Sequence, residues 1–293
     1  MELRHLRYFV AVAEERNFTR AAERLGMAQP PLSRQIRELE EIHGLVFFDR
    51  EIRPIALTPA GHLFLDHARR VLAAVSHMES ALDRCRTGGL RDFRFGFVGS
   101  TIYGPVPTLI RRFRETAPGL NVELAEMNTI SQIAALKEGR IDAGLGRLTF
   151  EDPLIQRRVI AHENLVAALA SNHPLASTDC PLGLAELEME ALILYPSEPR
   201  PSYADQVLSI FREYGLQPRN VREVRELQTA LGLVSADAGV SLVPSSIQRL
   251  KRDDIVYRPI AEPGAVSPII LNWRRNDSSE AILALLSIFE TSA

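Results

Sequence analysis

The chain has 293 residues, 46% of them hydrophobic and 24% charged, with a formal net charge of −3. This is globular composition, which excludes a disordered or fibrous chain and suggests about two domains. Two cysteines, Cys85 and Cys180, are too few for a disulfide scaffold or a Cys-rich zinc site, and a reducing cytoplasm is the simplest compartment.

The opening Met1-Glu2-Leu3-Arg4-His5 lacks the apolar core of a signal peptide, and no stretch approaches the roughly 18 apolar residues of a membrane span. Leu3, Leu6, Phe9, Val10 and Ala13 recur at helical spacing and read as one buried stripe. Asn17 is placed to cap a second helix, Phe18 to Leu25, in which Ala21 and Ala22 allow close packing; Gly26 then supplies a turn. A third helix opens at Gln29-Pro30-Pro31, where missing N–H groups are tolerated, and buries Leu32, Ile36 and Leu39. Its other face carries Gln29, Pro30, Ser33, Arg34 and Arg37. This order matches a helix-turn-helix, whose second helix presents N-terminal residues to base edges. Gln29 then suits adenine and Arg34 guanine, with Ser33 on a base or a phosphate. A solvated face on a small helical bundle is the competing reading. Bulk charge does not decide between them, because residues 1–90 carry 13 Arg against 12 Asp and Glu.

Two short apolar runs, Val46-Phe47-Phe48 and Ile55-Ala56-Leu57, flank a charged turn and predict a hairpin wing. Arg50 and Arg53 in that turn are candidates for phosphate or the minor groove. Thr58-Pro59 signals a helix start. After it Phe64, Ala68, Val71, Val75, Met78, Leu82 and Cys85 alternate in steps of four and three, an a/d seam that predicts a homodimer through residues 59–86. Thr87-Gly88-Gly89 reads as a hinge.

From Phe93 the pattern changes to strands alternating with helices. Strands are expected at Phe93–Val98, Leu120–Leu124, Ile141–Leu145, Leu165–Ala170, Leu192–Tyr195, Val240–Val243 and Ile269–Trp273. Helices are expected at Val106–Phe113, Gln132–Leu136 and Val207–Tyr214. Such alternation predicts an α/β domain with largely parallel sheets, which bind ligands where strands end. Gly99-Ser100-Thr101 and Asn128-Thr129 each follow a strand and open a helix, offering hydroxyls and free N–H groups to an anion. Gly146-Arg147 adds a cation at a third strand end. Plain caps and a surface ion pair are the alternatives.

The run MELRHLRYFVAVAEERNFTRAAERLGMAQPPLSRQIRELE, and LTPAGHLFL after the wing, resemble the LysR-type transcriptional regulators. Beyond the hinge, FGFVGSTIYG, ALKEGRIDAGLGRL, LILYPSEPRPSYADQV and LQTALGLVSADAGVSLVPSS resemble the branch of that family that controls catechol, chlorocatechol or benzoate degradation and answers to cis,cis-muconate or chloromuconate. The resemblance implies a winged helix-turn-helix at 1–58, a linker helix at 59–87 and a two-lobed, Rossmann-like effector domain of periplasmic-binding-protein type at 88–293. Its lobes are expected at about 91–161 with 268–293, and at about 162–267. The implied DNA-contacting residues are Gln29, Pro30, Pro31, Ser33, Arg34, Arg37, Arg50 and Arg53. The implied effector residues are Ser100 and Thr129 for one carboxylate and the loop of Pro201, Ser202 and Tyr203, which opens another helix, for the other, with Arg147 adding positive charge and the Tyr203 ring able to close the cleft. Implied partners are double-stranded promoter DNA, RNA polymerase and further copies of the chain as dimer and tetramer. The implied role is a cytoplasmic activator without cofactor, metal or membrane association; benzoate or another small carboxylate is the alternative effector. Many relatives carry serine where Ala28 stands, and losing that capping hydroxyl is expected to cost about 0.5–2 kcal/mol. Nothing supports an enzyme: there is no Gly-x-Ser-x-Gly, no phosphate loop, only a partial glycine fingerprint in Gly96–Gly99, and no metal spacing among the seven histidines.

Overall fold

A computed structural model describes residues 1–87, 91–177 and 180–290, in two compact units that part at about residue 89. The Gly88-Gly89 hinge and the side chain of Cys85 lie outside the described residues. No described helix is long and apolar enough to cross a membrane.

The first unit begins with α1 (Leu3–Glu15), α2 (Phe18–Arg24) and α3 (Gln29–His43). On α1 the buried residues are Leu6, Phe9, Ala11 and Val12; Leu3, expected inside, is exposed because the helix has only begun there. Asn17 caps α2, its Oδ1 accepting from the N–H of Thr19 and Arg20. Leu32, Ile36 and Leu39 form the buried face of α3. Ala28 is the N-cap of α3 and makes no side-chain cap bond. The capping penalty expected there does not apply. A capping hydroxyl accepts from the second or third helical N–H, and those positions are Pro30 and Pro31, which have none.

The wing is a minimal ladder, β1 (Phe48–Asp49) antiparallel to β2 (Ala56–Leu57). Of the apolar run before it, Phe47 and Phe48 are buried while Val46 is exposed. Phe47 stacks on Phe64 and Phe9 meets both edge-on, with centroids 4.6–5.5 Å apart. Phe64 belongs to α4 (Pro59–Thr87), so this cluster ties the long helix to the three short ones. Thr58 starts α4: its Oγ1 accepts from Gly61 N–H and donates to the Val46 carbonyl. Gly61 is required there, since a Cβ would lie 2.1 Å from the Phe47 carbonyl oxygen. The a/d seam divides along its length. Phe64 and Ala68 pack within their own unit, whereas Val71, Met78 and Leu82 are exposed, Leu82 by 61%.

The second unit alternates β3 (Arg91–Phe97), α5 (Val106–Thr116), β4 (Leu120–Glu126), α6 (Thr129–Lys137), β5 (Ala143–Gly146) and the 16-residue β6 (Ile155–Ala170). Then come α7 (Leu184–Glu188), β7 (Ala191–Leu194), α8 (Tyr203–Glu213), β8 (Asn220–Glu223), α9 (Leu227–Ser235), β9 (Ser241–Pro244), β10 (Ile255–Pro259), β11 (Val266–Arg274) and α10 (Glu280–Glu290). The large sheet runs β10-β6-β11-β5-β3-β4, with β9 also on β6. Among the described residues only β3–β4 and β3–β5 in it are parallel; β7 and β8 pair in parallel separately. The expectation of largely parallel sheets is therefore corrected. β6 and β11 run antiparallel to each other, and β6 continues into antiparallel ladders with β9 and β10. One core gathers β3, β5, β11, α5 and α10 around Phe93, Phe95 and Phe113. A second gathers residues 165–265, including Leu165–Leu169, Leu192–Tyr195 and Val240–Val243.

Candidate functional site

The cleft of the second unit is a product of strand order. Because β3 pairs in parallel with β4 on one side and β5 on the other, the three carboxyl ends lie side by side. Val98 N–H donates to the Leu145 carbonyl and Met127 N–H to the Phe97 carbonyl, which carries the alignment past the strand ends. Ser100, Thr129 and Arg147 thus meet, although 18 and 47 residues separate Arg147 from the other two. Gly146 makes the approach possible: a Cβ there would lie 2.8 Å from the Thr129 side chain.

Arg147 is the centre of this cluster and is only 2% exposed. Its Nε donates to Ser100 Oγ at 2.8 Å, its backbone N–H to Thr129 Oγ1 at 3.3 Å, and its Nη2 to Glu163 Oε2 at 2.6 Å. Its Nη1 is buried without a partner. The other Glu163 oxygen accepts from Ser246 N–H at 2.6 Å. Burial pushes the Glu163 carboxyl up, but the Arg147 charge and the hydrogen bonds from Ser246 and Arg147 outweigh it and hold the group below its ordinary 4.5. A buried guanidinium with one fork tip unfilled is a site for an anion or an ordered polar group.

Pro201, Ser202 and Tyr203 line the same cleft, whose volume is about 610 Å³. Ser202 caps α8, its Oγ accepting from Ala204 N–H and donating to the Pro196 carbonyl. Its hydroxyl is thus engaged within the fold. What α8 offers a ligand is its N-terminal backbone and dipole. Tyr203 is buried, its ring 5.2 Å from that of Tyr195 and its hydroxyl donating to the Leu242 carbonyl. Arg200 braces the loop by pairing with both Asp205 and Glu223. The Arg200 hydrogen bond holds the Asp205 carboxyl below its ordinary value. Gly99-Ser100-Thr101 opens a short helix as expected, a five-residue 3-10 turn, Gly99–Tyr103. Beside the Arg147 cluster the N-terminus of α6 also lines the cleft, and Asn128 Oδ1 accepts there from Ser131 N–H.

Glu163 and Tyr195 were not among the residues expected from sequence. Glu163 sits in a polar stretch with no period, and only its pairing with Arg147 reveals it. Tyr195 ends a strand beside the Pro201-Ser202-Tyr203 loop, and that position was the available signal.

In the first unit, Pro30, Pro31, Arg34 and Arg37 are exposed on the N-terminal half of α3, with Gln29 and Ser33 half-buried among them. The Arg34 side chain is 81% exposed and pairs with Glu38, one turn along. Arg53 is exposed on the wing. Arg50, beside it, has partners within the unit. It donates to Glu40 at 2.7 Å and lies over the Phe18 ring, so it fastens the wing to the helices. Glu40 also accepts from the N–H of Phe47 and Phe48.

Residues 3–62 match the profile described as a bacterial regulatory helix-turn-helix protein of the lysR family, and residues 87–293 match the LysR substrate binding domain. The chain is 48% identical over 282 residues to the probable cat1 operon transcriptional activator of Acinetobacter lwoffii, covering 96% of this chain and 93% of that protein. The solved effector binding domain of BenM with its effector benzoate is 41% identical, covers 70% of this chain and 92% of its own, and superposes with a TM-score of 0.66. Full-length CbnR complexed with its target DNA is 34% identical, covers all of both chains and gives a TM-score of 0.73. With both halves matched in order along one chain, the protein belongs to the LysR family of helix-turn-helix transcriptional regulators.

Proposed function

We propose that this regulator activates an operon for degradation of catechol, chlorocatechol or benzoate, and that cis,cis-muconate or a chlorinated muconate bound at Arg147 switches it. The observation that carries the reading is the unfilled Nη1 of a buried arginine, beside two hydroxyls and the α6 N-terminus, in a cleft of about 610 Å³. That volume lies within the range of small-ligand pockets. One carboxylate supplies what Arg147, Ser100 and Thr129 lack. The second lies toward the N-terminus of α8, near Pro201, Ser202 and Tyr203. Its neighbours in sequence include an operon activator and a domain solved with benzoate, which favours an aromatic-catabolism role.

The remaining parts follow from the same reading. The exposed edge of α3, with Gln29, Pro30, Pro31, Ser33, Arg34 and Arg37, enters the major groove of promoter DNA, and Arg53 reaches the backbone from the wing. Winged helix-turn-helix, linker and effector domain span 1–58, 59–87 and 88–293. Lobes of about 91–161 with 268–293, and about 162–267, enclose the effector. Exposed Val71, Met78 and Leu82 pair with the same face of a second copy, dimers join as a tetramer, and the bound promoter is presented to RNA polymerase in the cytoplasm. Effector binding favours one arrangement of the lobes over another.

Footprinting of the full chain on its promoter, with and without cis,cis-muconate, tests this. A changed protection pattern and bend are expected; an identical footprint and bend would remove the mechanism. Benzoate is the second reading, favoured by the BenM domain solved with that ligand. Competition between the two acids ranks them.

A further inference from the structure

Among the described residues, two that line the cleft carry a buried polar atom with no partner: Nη1 of Arg147 and the hydroxyl of Tyr195. The anion site described above uses the first and leaves the second unexplained. Tyr195 follows β7 directly, and its ring is held against Tyr203. Burial pushes its phenol well above the ordinary range, so the group stays protonated; of the charges acting on it, Arg147 is the strongest and Glu163 the next. Neighbouring hydroxyls do not share this state, since Ser202 donates to the Pro196 carbonyl and Tyr203 to the Leu242 carbonyl. A buried hydroxyl left unmatched is costly, and at a ligand cleft the matching group is the ligand.

We infer that Tyr195 is a specificity-determining residue, its hydroxyl donating to the same effector carboxylate that Arg147 Nη1 engages. The carboxylate is then gripped from two directions, from the end of β5 by Arg147 and from the end of β7 by Tyr195. Two donors facing one group select oxygen at both of its positions. A carboxamide turns its own N–H toward one of them and leaves a donor unmatched. Sites built to hydrogen-bond a ligand discriminate strongly against analogues that cannot complete the bonds. The inference rests on reading the cleft as a carboxylate site.

Titration calorimetry of the full chain with cis,cis-muconate and with its neutral diamide tests both layers separately. Absence of binding of muconate to the wild type would overturn the carboxylate reading, and this inference with it. Given wild-type binding, Tyr195→Phe is expected to weaken muconate about tenfold while changing the diamide little. Tyr257→Phe removes another buried, unpartnered hydroxyl, on β10 and outside the cleft lining, and is expected to keep the diacid-to-diamide ratio. A ratio within about twofold of wild type in Tyr195→Phe overturns the inference and leaves the carboxylate reading standing, and so does an equal loss for both ligands, which is what a packing role produces. If the Phe variant does not fold, wild-type protein with 13Cζ-labelled tyrosine gives the same answer. One resonance is expected to move with muconate and stay with the diamide, and no movement overturns the inference.

Discussion

Replacing Glu163 by glutamine removes the one negative charge that Arg147 contacts among the described residues. The Arg147 side chain is 2% exposed and that of Glu163 11%, so water screens the pair only weakly. Removing one member of such a buried pair typically costs about 3–5 kcal/mol, because the surviving charge is left uncompensated. Glutamine can still accept from Ser246 N–H or from Arg147, which places Glu163→Gln near the low end, about 3 kcal/mol. At roughly 2–4 °C per kcal/mol for a unit of some 200 residues, the unfolding transition of the second unit falls by about 6–12 °C. Differential scanning calorimetry of the full chain at pH 7 reads this directly. The same variant changes the acid response. Glu163 titrates lower in the folded protein than its ordinary 4.5, so the pair stabilises fully above 4.5 and loses that contribution as pH falls through the folded value. Glu163→Gln is therefore expected to flatten the stability–pH curve below about pH 4.5. A loss under about 1 kcal/mol at pH 7, or an unchanged acid limb, would refute the argument that this pair is buried and mutually dependent.

Other outcomes follow from the first unit. Arg34→Ala is expected to change stability by under about 0.5 kcal/mol, since only an exposed pair is lost, while discrimination among operator variants drops by about 1–3 kcal/mol in binding assays. Arg50→Ala is expected to act on stability instead, costing about 1–3 kcal/mol by removing the partner of half-buried Glu40 and uncovering Phe18, as thermal melts will show. Ala28→Ser is expected to leave the melting temperature nearly unchanged, because Pro30 and Pro31 provide no N–H for the new hydroxyl; a gain of about 1 kcal/mol would contradict that.

The helices of the first unit were legible because their signals are local. Asn17 as a cap, the prolines of α3 and the Leu32, Ile36, Leu39 stripe each act within a few residues. The first half of β6 was not legible. Gln156 to Asn164 is polar and largely exposed, so it shows no strand period, and its strand character comes from pairing with β11 about a hundred residues away. β8 escaped for the same reason, all four of its residues being exposed. In the cleft, Ser100, Thr129 and Arg147 could be proposed because strand ends are readable from apolar runs followed by Gly, Ser or Asn. Which hydroxyls remain free for a ligand was not readable. Ser202 is consumed by its own helix and Tyr195 is left unmatched, and that assignment depends on distances that spacing does not encode.

The most direct measurement is titration of the full-length protein with cis,cis-muconate, beside Arg147→Gln of equal folded content. The account predicts saturable binding to the wild type that is lost in the variant. Equal affinity in the two proteins would contradict it, because the buried guanidinium would then have no part in holding the acid.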